Sequence, residues 1–150
     1  MTPCLDVFRQ KKAMKTSFSL FALVLLTSAF SCDESRVKID PFDLGAPFLL
    51  RPGFQYDCSE CDVSVSFTKV ISDSRCPSDA ICVWAGMAVV ELSVEIEGAS
   101  HTILLATAGE NNRIALGGYL FSLGEVSPYP TLQNPIAQKD YRITLTVTRL

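Results

Sequence analysis

The sequence predicts an all-β fold: an antiparallel β-sandwich or small barrel of about seven short strands, following an N-terminal signal peptide. Three observations lead there. Apolar and polar residues alternate at period two in several separate stretches, and Gly- and Asn-rich turn signals lie between them. No stretch after Phe30 sustains a 3.6-residue period with helix caps.

Taken in order, residues 32–45 read as a tether and residues 46–150 as one β-domain, with the stretch up to Pro52 feeding a first edge strand. Val63, Val65 and Phe67 make the next short alternation. In the strand that follows, Val90, Leu92, Val94 and Ile96 interleave with Glu91, Ser93, Glu95 and Glu97. Gly98-Ala99-Ser100 is the turn to a strand holding Ile103 and Leu105, and Gly109-Glu110-Asn111-Asn112 is the turn after it. Gly117-Gly118, between Ile114-Ala115-Leu116 and Tyr119-Leu120-Phe121, has the length and chemistry of a two-residue hairpin. Pro128, Pro130 and Pro135 mark a connection, because proline cannot donate to a ladder. Tyr141, Ile143, Leu145 and Val147 give the last strand.

The N-terminus reads as an address. Lys11, Lys12 and Lys15 precede an apolar run from Phe18 to Phe30, and Ser31 and Cys32 follow. A basic segment, a short apolar run and small residues before a cleavage point define a secretory signal, here residues 1–31 with a second natural start at Met14. The run is shorter than the roughly 17–25 residues that span a bilayer as a helix. Ala29-Phe30-Ser31-Cys32 resembles a bacterial lipobox, in which the cysteine is acylated and becomes the new N-terminus. Ala29 is not the preferred Leu and Phe30 is bulky, and ordinary signal-peptidase cleavage after Ser31 is the alternative. Lipidation of Cys32, anchoring the protein to a bacterial envelope membrane, is the favoured reading because it leaves an even number of cysteines. Asp33-Glu34-Ser35 reads as an acidic sorting segment or as a solvated tether.

Nine basic and fifteen acidic residues from Cys32 onward give that part a net charge of −6. An acidic domain without a basic stripe has no electrostatic footprint for nucleic acid.

Cys58, Cys61, Cys76 and Cys82 remain in an oxidising compartment, where disulfides persist. Local pairing, Cys58 with Cys61 and Cys76 with Cys82, is the simplest of the three possible connectivities. A redox centre at Cys58-Ser59-Glu60-Cys61 is the sharper reading, but Asp57, Glu60 and Asp62 disfavour a thiolate and no βαβ pattern surrounds it. A four-cysteine zinc site would place both pairs two residues apart, whereas five residues separate Cys76 from Cys82.

The segment Arg75-Cys76-Pro77-Ser78-Asp79-Ala80-Ile81-Cys82-Val83-Trp84-Ala85-Gly86 resembles an R-C-P-x4-C-V-W-A-G pattern of small bacterial exported proteins and lipoproteins. Their ending is similar to Phe121–Pro130 and Asp140–Leu145. The resemblance implies an exported β-domain and no particular activity. Physically, Pro77 and a short cysteine loop rigidify a turn, Trp84 starts a strand as a core anchor, and Ala85-Gly86 permits close backbone approach. The functional alternative is an exposed Trp84 forming a binding lip for a sugar or peptide.

No catalytic constellation is visible. His101 is the single histidine, placed at a strand start, and there is no G-x-S-x-G, H-E-x-x-H or P-loop. Asp57, Glu60, Asp62, Asp73 and Asp79 crowd the cysteine-rich region, a solvated acidic rim or a set of calcium ligands of no named spacing. No cofactor and no metal are expected. The expected function is a non-catalytic, lipid-anchored envelope module with a protein or glycan partner; the alternative is an exported thiol–disulfide or metal-handling protein using Cys58 and Cys61.

Overall fold

Residues 39–150 are described in a computed structural model of the chain; the expected signal peptide and the expected lipidation site, Cys32, lie outside them. Nine strands follow one another: β1 Ile39–Phe42, β2 Pro47–Leu50, β3 Gln55–Cys58, β4 Val63–Asp73, β5 Ala88–Ile96, β6 Ala99–Ala106, β7 Arg113–Leu116, β8 Tyr119–Ser127 and β9 Arg142–Arg149. They form a five-stranded sheet, ordered β1-β3-β4-β5-β6, and a four-stranded sheet, ordered β2-β9-β8-β7. Glu110–Asn112 and Gln138–Asp140 are single 3-10 turns, and no longer helix occurs among the described residues.

The period-two pattern becomes burial directly. Ala88, Val90, Leu92, Val94 and Ile96 of β5 face inward, as do Ile143, Leu145 and Val147 of β9. Side chains from both sheets form one cluster, with Val65, Phe67, Val90 and Leu92 on one side and Phe121, Ile143 and Leu145 on the other. Burying each such side chain contributes about 1.5–3 kcal/mol, enough in sum to oppose the conformational entropy of the short strands.

The all-β class is as expected; the detail differs in three ways. Two strands escape the alternation test because each is only four residues long; Phe42 of β1 and Tyr56 of β3 are buried. Hence part of the expected tether, Ile39–Phe42, is strand, held by parallel pairing with β3 and by stacking of Phe42 on Phe48 of the other sheet at 4.3 Å. The β5–β6 turn is Glu97-Gly98 rather than Gly98-Ala99-Ser100, since Ala99 already pairs with Ile96. Its two residues have φ of 51° and 79°, the paired positive values that a two-residue hairpin of this twist needs.

Strand direction sorts the connections between two ends. The β4–β5 loop, the β6–β7 connection and residues 128–141 before β9 lie at one end. The hairpin turns at 97–98 and 117–118 and the β3–β4 turn at 59–62 lie at the other, where Glu97 N–H donates to Asp62 O at 3.1 Å.

Candidate functional site

The β4–β5 hairpin continues past its last ladder pair, Asp73 with Ala88. Ser74 N–H donates to Met87 O at 2.9 Å, and Cys76 N–H to Ala85 O at 2.9 Å. Gly86 sits between these bonds with φ +64°, and an added Cβ would fall 1.8 Å from Ser74 O. Only glycine lets the two backbones approach this closely.

Beyond that point the loop is stapled. Cys76 and Cys82 are bonded, with Cα atoms 5.9 Å apart. Ala80 N–H donates to Pro77 O, closing a turn inside the staple. Ser78 N–H donates to Pro130 O at 2.9 Å, and Leu132 N–H donates to the Asp79 carboxylate at 2.9 Å. The staple is therefore tied to the proline-rich connection from both sides.

Underneath lies a buried ionic clamp. Arg75 is the buried charged residue of the core boundary, 6% exposed. Its Nε donates to Asp73 Oδ1 at 2.8 Å and its Nη2 to Asp73 Oδ2 at 2.6 Å, a bidentate pair. The guanidinium also donates to Val126 O and, at 2.9 Å, to Pro128 O, and it lies 4.6 Å from the Tyr129 ring centroid. Tyr141 Oη donates to Asp73 Oδ2 at 3.1 Å. Burial pushes the Asp73 carboxyl up, but the hydrogen bonds and charge of Arg75, with the Tyr141 hydroxyl, outweigh it and hold the group below its ordinary value. The hydrogen bonds that Arg75 donates to Asp73 in turn raise the Arg75 guanidinium above its ordinary value. Burial, then the Asp73 charge, pushes the Tyr141 hydroxyl up, so it stays a donor at neutral pH.

This frame carries apolar side chains outward. Ile81 is 105% exposed, Val83 91% and Trp84 82%. Trp84 therefore is not the core anchor the sequence suggested, and it precedes β5 by four residues rather than starting it. The reason is the backbone: Ala85 and Met87 are paired with Cys76 and Ser74 beyond the end of the ladder, so Val83 and Trp84 belong to the projecting loop and not to the inward-facing strand. Leu132, 68% exposed, and Tyr129, 54% exposed, flank the loop. A notch of about 290 Å³ behind the loop is lined by Arg75, Gly86, Thr107, Glu125, Val126 and Tyr129, and not by the three outward side chains.

The second cysteine pair is elsewhere. Cys58 and Cys61 are bonded, Cα atoms 5.3 Å apart, across the β3–β4 turn at the opposite end of the sheet. Both half-buried cysteines pack against the core. Beside them an open depression of about 710 Å³ is lined by Asp57, Asp62, Glu95 and Glu97. Asp57 accepts a hydrogen bond from Gln55 Nε2 at 3.0 Å. The five acids expected to crowd one region are thus split by the length of β4, with Asp73 and Asp79 engaged at the far end. Among the described residues no three His, Cys, Asp or Glu side chains come together as metal ligands. His101 is exposed on β6.

No family model, curated protein or solved structure matches the chain.

Reading the sequence assigned no role to Arg75, Ile81 or Val83, and it placed Asp73 in an acidic rim or calcium-ligand set rather than in a buried ion pair. The signals were present: an acid and an arginine two residues apart closing an alternating strand, and three large apolar residues in a proline-led loop with no strand period.

Proposed function

We propose that this chain is a non-catalytic, lipid-anchored module of a bacterial cell envelope, a β-sandwich that engages its partner surface through the stapled loop. The observation that carries the reading is the outward display of Ile81, Val83 and Trp84 on a loop held by a disulfide and a buried ion pair. An apolar side chain exposed on a floppy loop is ordinary, but a cluster of them on a reinforced frame fits a contact surface. The exported location is supported by the signal-like N-terminus, by the two disulfides and by the resemblance of the Arg75–Gly86 segment to exported proteins. The thiol-exchange alternative has less support: the Cys58–Cys61 pair bridges a strand turn packed on the core, and among the described residues no helix N-terminus adjoins it to stabilise a thiolate.

The test uses one preparation from bacterial membranes. Intact mass with thiol alkylation is expected to show a chain starting at Cys32, acylated, with no free thiol. An unacylated chain with Cys58 and Cys61 alkylatable overturns the reading in favour of thiol chemistry. A photo-cross-linking residue at Trp84 is expected to form adducts in intact cells, while the same residue at His101, exposed on the flank of β6, does not. Equal adduct yields at both positions would remove the loop's claim to be the contact surface.

A further inference from the structure

We propose that the loop tip inserts into the interfacial layer of the same bilayer that carries the anchor, so that the domain stands on the membrane at two points, the acylated Cys32 and the Ile81–Val83–Trp84 tip. The proposal rests on the anchored reading above and names the partner surface as lipid.

Shape comes first. Ile81, Val83 and Trp84 project almost wholly into solvent, and the notch behind the loop is not lined by them. Projecting apolar side chains outside a cleft have nothing to enclose a sugar or a peptide, whereas they fit a deformable apolar solvent. Trp and Tyr favour the bilayer interface, where the ring is apolar and the N–H or O–H stays wet; here Trp84 is on the tip, and the exposed Tyr129 lies against Arg75 at the base of the loop.

Charge agrees. From Pro77 to Met87 the single charged residue is Asp79, and its carboxylate is engaged by Leu132 N–H. Without lysine or arginine on the tip, neutral headgroups are the better match, because anionic ones would be sought by basic residues.

Chain direction supplies an independent argument. β1 runs parallel to β3, away from the end that carries the loop, so the chain enters the domain from the loop side. Ile39 is level with Gln55, which pairs with Ser66, which pairs with Ser93. From Ser93 to Ala85, at the base of the tip, is eight residues of extended chain, about 27 Å. From Cys32 to Ile39 is seven residue steps, a reach of at most about 25 Å. Fully extended, the tether brings the acylated cysteine to about 2 Å short of the level of the loop base and no further, too short for an upright domain to lift its tip far from the bilayer. Tethering turns a weak tip–lipid contact into an intramolecular one.

The chain has one tryptophan, so its emission reports on the tip alone. The acylated protein is reconstituted into phosphatidylcholine vesicles with and without brominated acyl chains. The expected result is a blue-shifted emission that loses about half or more of its intensity to the bromolipid, as for an interfacial tryptophan. That loss should be unchanged by salt and by adding anionic lipid, and should fall sharply in I81S/V83S, which keeps the reporter and alters only exposed side chains. Emission quenched freely by aqueous iodide and not by bromolipid, in a chain whose mass shows the acyl group, overturns the insertion and leaves the anchored reading standing. A mass without acyl chains overturns the anchored reading instead; the unacylated full chain at high lipid concentration then decides the tip, with bromolipid quenching for it and none against it. Adducts from position 84 to protein alone also overturn it.

Discussion

Replacing Arg75 by Met tests whether the clamp under the loop is a buried ion pair in energetic terms. The Arg75 and Asp73 side chains are 5% and 9% exposed, so little solvent screens them. The substitution removes both bonds to Asp73, the bonds to the Val126 and Pro128 carbonyls, and the stacking on Tyr129. It leaves the Asp73 carboxylate with the Tyr141 hydroxyl and the Arg75 backbone N–H. Breaking a buried pair from one side costs about 3–5 kcal/mol, whereas replacing both members by apolar groups is often close to neutral. R75M is therefore expected to lose about 3–5 kcal/mol and R75M/D73L to recover most of it. Urea unfolding followed by far-UV circular dichroism measures both; tryptophan emission is a poor probe, since Trp84 is already exposed in the native state. The acid response supplies a second readout. In the native protein Asp73 is held below its ordinary value, so its contribution is full at neutral pH and is lost as pH falls from about 4 through the lowered value. Without the Arg75 side chain, its hydrogen bonds and charge no longer hold the carboxyl down against burial, so the loss of stability on acidification should be smaller in R75M than in the native protein. A loss below about 1 kcal/mol, typical of exposed pairs, together with an unchanged acid slope would refute the buried-clamp argument.

Two further outcomes follow from the same loop. G86A should cost well above the roughly 1–2 kcal/mol of a positive-φ alanine, because its Cβ meets Ser74 O at 1.8 Å, while G98A, with φ +79° and open space, should cost only that conformational term; equal midpoint shifts would contradict the close approach. C76S/C82S should lose about 2 kcal/mol on chain-entropy grounds, keep its circular dichroism spectrum, and show weaker bromolipid quenching of Trp84; an unchanged quenching would mean that the staple does not set the tip.

The sequence by itself determined the secondary structure where the side-chain period was long enough to be read. Val90 to Ile96 and Tyr141 to Val147 alternate because one face of each strand is buried, and Gly117-Gly118 announces a two-residue turn by its need for positive φ. The local cysteine pairing was the simplest of three connectivities for a related reason: a single turn brings residues three or six apart within bonding distance. Burial at the loop and partnership across it were decided only by tertiary structure. Trp84 and Val83 are apolar, and a one-dimensional pattern assigns such residues to the core; they are outside because Gly86 and the Ser74–Met87 bonds commit the backbone first. Arg75 and Asp73 are charged, and a pattern assigns them to the surface; they are inside because Tyr141, 68 residues away from Asp73, and the Val126 and Pro128 carbonyls close around them. The split of the acids between two ends has the same origin, since β4 carries the chain the length of the sheet between Asp62 and Asp73. Long-range contacts set which polar groups are satisfied and which apolar ones are left in water, and no local period encodes them.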